Sequence, residues 1–196
     1  CEDLVNQGYK EITLLGQNVN AYGKDLYSDY NLANLLSDVS DTGIERIRFV
    51  TSHPWDFTDE MVDVIASRDN IMPYIHLPLQ SGSDKVLKLM NRKYTIEEYM
   101  KLYNSIRKKV KNASITTDII VGFPGESDED FEDTMDVVNK AEYESAFTFI
   151  YSKRTGTPAA KMDDQIPEDV VKDRFDRLLE LQNSLSTKKN EEFSHS

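Results

Sequence analysis

The sequence of 196 residues contains a single cysteine, Cys1. One thiol can form neither an intrachain disulfide nor a cysteine-based metal motif, so the chain itself offers no metal ligand set of that kind. Long hydrophobic runs are also missing. No stretch approaches the roughly 20 apolar residues that a bilayer-spanning helix needs, and no signal-peptide pattern opens the chain. These absences predict a soluble, cytoplasmic protein without membrane contact. Basic charge is scarce too. With 23 Lys and Arg against 35 Asp and Glu the formal charge is −12, the wrong sign for a nucleic-acid surface covering the whole chain. Any RNA contact has to be local or lie outside these residues. What is present, 39% hydrophobic residues, suffices for a real core and predicts one domain.

The most informative stretch is Ile115-Thr-Thr-Asp-Ile-Ile-Val-Gly-Phe-Pro-Gly-Glu-Ser-Asp-Glu-Asp-Phe131. Its first seven residues are mostly β-branched and apolar, which predicts a strand buried on both faces, and they run into a Gly-Phe-Pro-Gly loop. Ser127 then suits the N-cap of a helix whose first turn carries Asp128, Glu129 and Asp130, the charge sign that a helix N-terminus favours.

The same strand, loop, helix pattern recurs along the chain. Residues 1–7 read as the last turns of a helix ended by Gly8, so the chain is expected to be a piece of a longer protein. Strands are predicted at Glu11–Leu15, Arg46–Val50, Tyr74–Leu77 and Ala146–Tyr151. Helices are predicted from Asn31 to Val39, after Thr58, through Met90, after the Thr95-Ile-Glu-Glu98 capping box, and from Pro167 onward with Val171, Phe175, Leu178 and Leu185 on one face. Strands alternating with helices imply right-handed crossovers and a parallel sheet. Loops entering the strands are short and polar. Those leaving them carry the glycines, prolines, amides and aromatics, and in parallel α/β folds ligands bind at that end.

Several residues on that rim are candidates. Gln17, Gln80 and Ser81 are neutral hydrogen-bonding groups that suit a ribose or an amino-acid head group. Asp118 interrupts an apolar strand, where an ionised carboxylate must be paired or face a ligand. Glu126, at a helix start, can hold its loop through backbone N–H groups. His76 reads as a packed strand histidine, and His53 has no supporting carboxylate spacing. Lys85, Lys88, Arg92 and Lys93 form a basic cluster that is either a solvated face or a phosphate contact. No residue stands out as a strong general acid or base, so no catalytic residue and no metal ligand is assigned.

Four motifs together carry a family resemblance: Leu14-Leu-Gly-Gln-Asn-Val-Asn-Ala-Tyr-Gly23, Thr51-Ser-His-Pro-Trp-Asp-Phe-Thr-Asp-Glu60, His76-Leu-Pro-Leu-Gln-Ser-Gly-Ser83 with Met90-Asn-Arg-Lys-Tyr94, and Thr117-Asp-Ile-Ile-Val-Gly-Phe-Pro-Gly-Glu126. From about residue 8 to 186 the chain resembles the radical S-adenosylmethionine methylthiotransferases, and its Gln-Asn-Val-Asn and Ser-His-Pro segments are most similar to the branch that modifies tRNA. The resemblance implies a partial, TIM-like (βα)6 barrel over residues 1–190, its first strand and cluster loop absent, with a parallel sheet and outer helices. It also implies that S-adenosylmethionine and two four-iron four-sulfur clusters serve the parent protein, with cluster ligands outside this chain, and that an N-terminal methylthiotransferase domain holding the second cluster and a small C-terminal RNA-binding domain complete it. The 196 residues alone are then expected to be inactive.

Carried over by position, Gly16 and Gln17 fall where the family binds the methionine amino group. Gln80 and Ser81 fall near ribose or the methionine carboxylate, Val121, Gly122 and Phe123 bracket adenine, and Asp118 joins the cofactor set. One departure is that the glutamate of the general pattern comes one position late, at Glu126. The implied reaction adds a methylthio group to carbon 2 of N6-isopentenyladenosine beside the anticodon of tRNA. Three alternatives remain at this point: a relative that methylthiolates a ribosomal-protein aspartate, a non-catalytic nucleotide-binding α/β module, and an unrelated barrel enzyme using Asp118 and a rim lysine.

Overall fold

A computed structural model of the chain describes residues 1–50 and 52–194, with side chains through Glu191. Thr51, which opens the Ser-His-Pro motif, lies outside the described residues. In chain order the elements are α1 (Glu2–Asn6), β1 (Glu11–Leu14), α2 (Leu32–Asp41), β2 (Arg46–Phe49), α3 (Asp59–Ser67), β3 (Tyr74–His76), α4 (Asp84–Leu89), α5 (Ile96–Lys109), β4 (Ser114–Val121), α6 (Asp128–Ala141), β5 (Ser145–Ile150) and α7 (Glu168–Ser194). Strand–helix alternation with parallel pairing follows the periodicities, and it is the element order of the partial TIM-like barrel that the resemblance implies. The chain divides into two compact units, Cys1–Leu77 with Met100–Ile115, and Pro78–Tyr99 with Thr116–Ser196.

In the first unit β1 and β2 pair in parallel, with Ile12 opposite Ile47 and Leu14 opposite Phe49. The short β3 is joined by the start of β4, where the Ser114 N–H donates to the Pro73 carbonyl at 2.7 Å. Helix α2 begins with a capping box that the apolar spacing alone did not announce. The Asn31 side chain accepts from the Ala33 and Asn34 N–H groups, and Asn34 accepts the Asn31 N–H in return. Thr58 caps α3 by accepting the Met61 N–H at 3.3 Å. Leu36, Ile47, Val62 and Ile65 fill the core between these elements.

The second unit is built on the long strand of the central motif. β4 and β5 run parallel, setting Asp118 beside Phe147 and Ile120 beside Phe149. Ser127 caps α6 as its chemistry predicts, and Asp130 closes the box by accepting the Ser127 N–H at 2.8 Å. Asp130 also accepts from Ser83 Oγ at 2.6 Å and Lys85 Nζ at 2.6 Å, so the start of α6 is tied to the start of α4. Burial pushes the Asp130 carboxyl upward, but the Lys85, Ser83 and Ser127 donors outweigh it and hold the group well below the usual carboxylate range.

The long helix α7 buries Val171, Leu178 and Leu185 of the predicted stripe and leaves its fourth member, Phe175, half-buried. Two polar residues share that stripe. Arg174 and Gln182 are both buried, and Gln182 Nε2 donates to the Tyr143 carbonyl at 2.9 Å.

Candidate functional site

The second unit holds a cavity of about 820 Å³ at the carboxyl ends of β4 and β5. Gln80, Asp118 and Ile120 line it from below, Asn91 and Arg92 from the turn after α4, and Phe123, Phe149, Tyr151 and Arg154 from the loops that leave the strands. The position follows from parallel topology, which sends strand ends and the loops after them to one rim.

Gln80 is the focus of the strain. Its φ is +69, one of four non-glycine residues in the left-handed region among the described residues, and Asn91, with φ +57, is another on the same cavity. Such a conformation costs on the order of 1–3 kcal/mol for a residue with a Cβ and concentrates at binding sites. Two backbone bonds impose it. The Gln80 N–H donates to the Asp118 carbonyl at 2.8 Å, and the Ile120 N–H donates to the Gln80 carbonyl at 2.9 Å, so Gln80 is clamped onto β4 like an extra rung.

Arg92 supplies the complementary signal. Its Nε is buried and has no hydrogen-bond partner among the described residues, and neither has the Tyr151 hydroxyl. A buried donor without an acceptor is costly, so a guanidinium lining a cavity in that state suits an anionic or carbonyl ligand. Phe123 and Tyr151 meet edge to face with ring centroids 5.2 Å apart, giving the cavity an aromatic wall. Asp118 is half-buried on the open face of β4, so its place in an apolar strand reflects a side chain turned toward the cavity lining.

The remaining predicted residues sit differently. Ser81 is fully buried; its Oγ lies 3.4 Å from Thr134 Oγ1 and accepts the Ser83 N–H at 3.2 Å, so this hydroxyl serves the packing of the loop on α6. Val121 is buried and its carbonyl accepts the Tyr151 N–H at 2.8 Å. Gly122, with φ +75, gives its N–H to Glu126 Oε1 at 3.1 Å, and a Cβ there would lie 2.6 Å from the Val171 side chain. These three form the wall behind the cavity. Gly16 and Gln17 are exposed in the loop after β1, within the first unit. Also in that unit, His53 stacks on Trp55 at 4.4 Å and His76 is half-buried in β3.

Glu126 takes the loop-holding role. It is 3% exposed, accepts from Gly122, and pairs with Arg174 Nη1 at 2.8 Å. Burial pushes its carboxyl upward, and the Gly122 N–H and the Arg174 guanidinium oppose that shift without cancelling it. The same guanidinium bonds the Glu126 carbonyl at 3.1 Å and Asp128 at 2.6 Å, so one arginine of α7 fixes the whole loop between β4 and α6. Composition and periodicity gave no sign of Arg174 as a partner, because the pair is 48 residues apart in sequence. Arg92 had a visible signal, its place in the Met90–Tyr94 motif, but was counted with its lysine neighbours.

The described residues offer no group of three His, Cys, Asp or Glu side chains that could hold a metal ion, and Cys1 is exposed. No described helix is long and apolar enough to cross a membrane.

Solved structures share the fold. Coproporphyrinogen III oxidase from Escherichia coli, described as a radical SAM enzyme, superposes with a TM-score of 0.67 at 16% identity over 94% of this chain and 44% of its own. A radical S-adenosylmethionine methyltransferase from Kitasatospora setae does so at 0.62 and 18% identity over 81% of this chain and 31% of its own. Among curated relatives, tRNA-2-methylthio-N(6)-dimethylallyladenosine synthase of Staphylococcus saprophyticus is 59% identical over 177 residues, 90% of this chain and 34% of that protein. The protein of the same name from Clostridium botulinum is 54% identical over 191 residues, 97% of this chain and 42% of its own length. The chain thus spans well under half the length of the curated relatives it matches. The family model for the radical SAM superfamily matches residues 1–138, more than half of the sequence, and with the parallel fold and the strand-end cavity in place the chain belongs to that superfamily.

Proposed function

We propose that this chain is the central part of an enzyme that methylthiolates carbon 2 of N6-dimethylallyladenosine in tRNA. The observation that carries the reading is 54–59% identity, over 90–97% of the chain, to proteins named for that activity. Nothing comparable favours a ribosomal-protein substrate or a non-catalytic module.

The cavity of the second unit fits S-adenosylmethionine on the chemistry of its lining. Arg92, with its unpartnered buried Nε, suits the methionine carboxylate. Gln80 and Asp118 suit the ribose hydroxyls, and Phe123 with Tyr151 offers an aromatic edge to adenine while Val121 and Gly122 hold the backbone behind it. When bound, S-adenosylmethionine supplies, together with an iron–sulfur cluster, the radical chemistry that acts on an otherwise inert carbon. The chain's residues bind and orient that cofactor, and Arg174 and Glu126 keep the adenine loop in place. A cluster does not fit the side chains described here, and its thiolate ligands are expected outside these 196 residues. The domains expected from the resemblance outside these residues, the C-terminal RNA-binding domain among them, would carry most of the tRNA contact, consistent with the formal charge of −12.

The test is product analysis. The full-length protein, reconstituted anaerobically and given S-adenosylmethionine, reductant, a sulfur source and tRNA bearing N6-dimethylallyladenosine, should yield the 2-methylthio nucleoside in the digested tRNA. A methylthiolated ribosomal protein with unchanged tRNA would overturn the assignment.

A further inference from the structure

We propose that the open face of β4 and β5 is the recognition surface for the dimethylallyl group of the substrate nucleoside, with Phe149 and Phe147 as its apolar wall. The inference rests on the functional reading above and adds to it the side chains that distinguish a prenylated adenosine from a plain one. Parallel register puts Asp118 beside Phe147 and Ile120 beside Phe149, and Cα partners in adjacent strands point to the same side of a sheet. The reverse face of β4 is closed, with Thr117, Ile119 and Val121 all buried. The near face is open: Phe147 and Phe149 are each 52% exposed, and Asp118 and Ile120 are half-buried. Parallel strands are normally covered on both faces, and an exposed aromatic pair there marks a binding surface more than a solvated one.

Continuity with the cofactor cavity decides the occupant. Phe149 and Ile120 line that cavity together with Gln80 and Asp118, so a group resting on the phenylalanines lies next to the bound cofactor, where the reacting carbon of the substrate has to come. The dimethylallyl substituent is a branched five-carbon group with no hydrogen-bonding atom. Phenylalanine and isoleucine match it, and the amides and guanidinium on the other side of the cavity do not.

The experiment uses the full-length reconstituted enzyme and two fluorescent anticodon stem-loop RNAs, one carrying N6-dimethylallyladenosine and one carrying adenosine. Affinity is read by anisotropy and methylthiolation by mass spectrometry. Discrimination by an apolar pocket is worth on the order of tenfold or more per group removed. Phe149→Ala should therefore cut the preference for the prenylated RNA about tenfold, through weaker binding of that RNA, with the affinity for the plain RNA unchanged. Phe149→Leu, which keeps apolar volume, should retain most of the preference. Phe147→Ala is a second variant at a half-exposed position, expected to lower the preference in the same direction with little loss of stability. Equal effects on both RNAs, or no change in either alanine variant, would overturn the proposal while product formation by the wild type leaves the functional reading standing. Failure of the wild type to modify prenylated RNA would overturn both.

Discussion

Replacing Arg174 by methionine should lower folding stability by about 3–5 kcal/mol, the cost of stranding the partner of a buried ion pair. Arg174 and Glu126 expose only 5% and 2% of their side chains, and the bond between them is 2.8 Å. Removing the guanidinium leaves a buried carboxylate with the Gly122 N–H as its remaining donor among those resolved. It also frees the Glu126 carbonyl and Asp128, and removes the cation lying 5.7 Å from the centre of the Phe131 ring. The sign of the pH dependence follows from the same group. The folded-state pKa of Glu126 is already raised by burial, and loss of Arg174 raises it further. A carboxyl raised on folding contributes no penalty below its unfolded value and an increasing one as pH climbs from there to the folded value. The deficit of the Arg174→Met variant should therefore be smaller near pH 4 to 5 than at pH 8. Urea unfolding at both pH values reads it directly. Adding Glu126→Gln should recover part of the loss, because a neutral amide is cheaper to bury than an unpaired charge. A deficit below about 1 kcal/mol, the range of exposed pairs, would contradict this account of the loop.

The second large effect is expected at Gly82. A Cβ at this position would lie 2.4 Å from Thr134 Cα and 2.6 Å from the Asp133 carbonyl oxygen, both backbone atoms of α6. Flexible side chains can yield to such a clash, but a helix backbone has to move as a unit. The Gly82 N–H also donates to Thr134 Oγ1 at 2.9 Å, so displacement breaks that bond as well. Overpacking of this kind costs about 1–3 kcal/mol and more when backbone must shift. Gly82→Ala should fall at or above the top of that range by denaturant midpoint, and a variant within about 0.5 kcal/mol of wild type would mean that α6 is not seated on this loop.

The fold was legible in the sequence wherever local chemistry decides the outcome. The strand at Ile115–Val121, the Ser127 and Thr58 caps, the Thr95–Glu98 box and the apolar stripe of α7 all follow from residues within a few positions of one another. The site was legible in part. Gln80, Asp118 and Phe123 were named on the rim and all three line the cavity. Ser81, Val121 and Gly122 lie just behind it, because alternation along a strand and the turn after it sends neighbouring residues to opposite sides, and one-dimensional spacing does not say which. Arg174 was out of reach for a different reason, and Arg92 could be placed only in a basic cluster. An arginine in a polar stretch looks the same whether its guanidinium ends in water, in a cavity or against a buried carboxylate, and only three-dimensional packing separates those cases. The strain at Gln80 was equally invisible, since no glycine or asparagine marks the position.

The most direct test of the central claim, that the cavity at the ends of β4 and β5 binds S-adenosylmethionine through Gln80 held in a left-handed backbone, is a calorimetric titration of S-adenosylmethionine into the full-length reconstituted protein and its Gln80→Gly variant. Thermal midpoints are taken alongside. Glycine adopts φ near +69 without steric cost, so the variant should unfold at the same or a higher temperature. Its affinity for S-adenosylmethionine should nevertheless fall about tenfold, roughly 1.4 kcal/mol, because the carboxamide is gone. An affinity equal to that of the wild type would contradict the claim and remove Gln80 from the site.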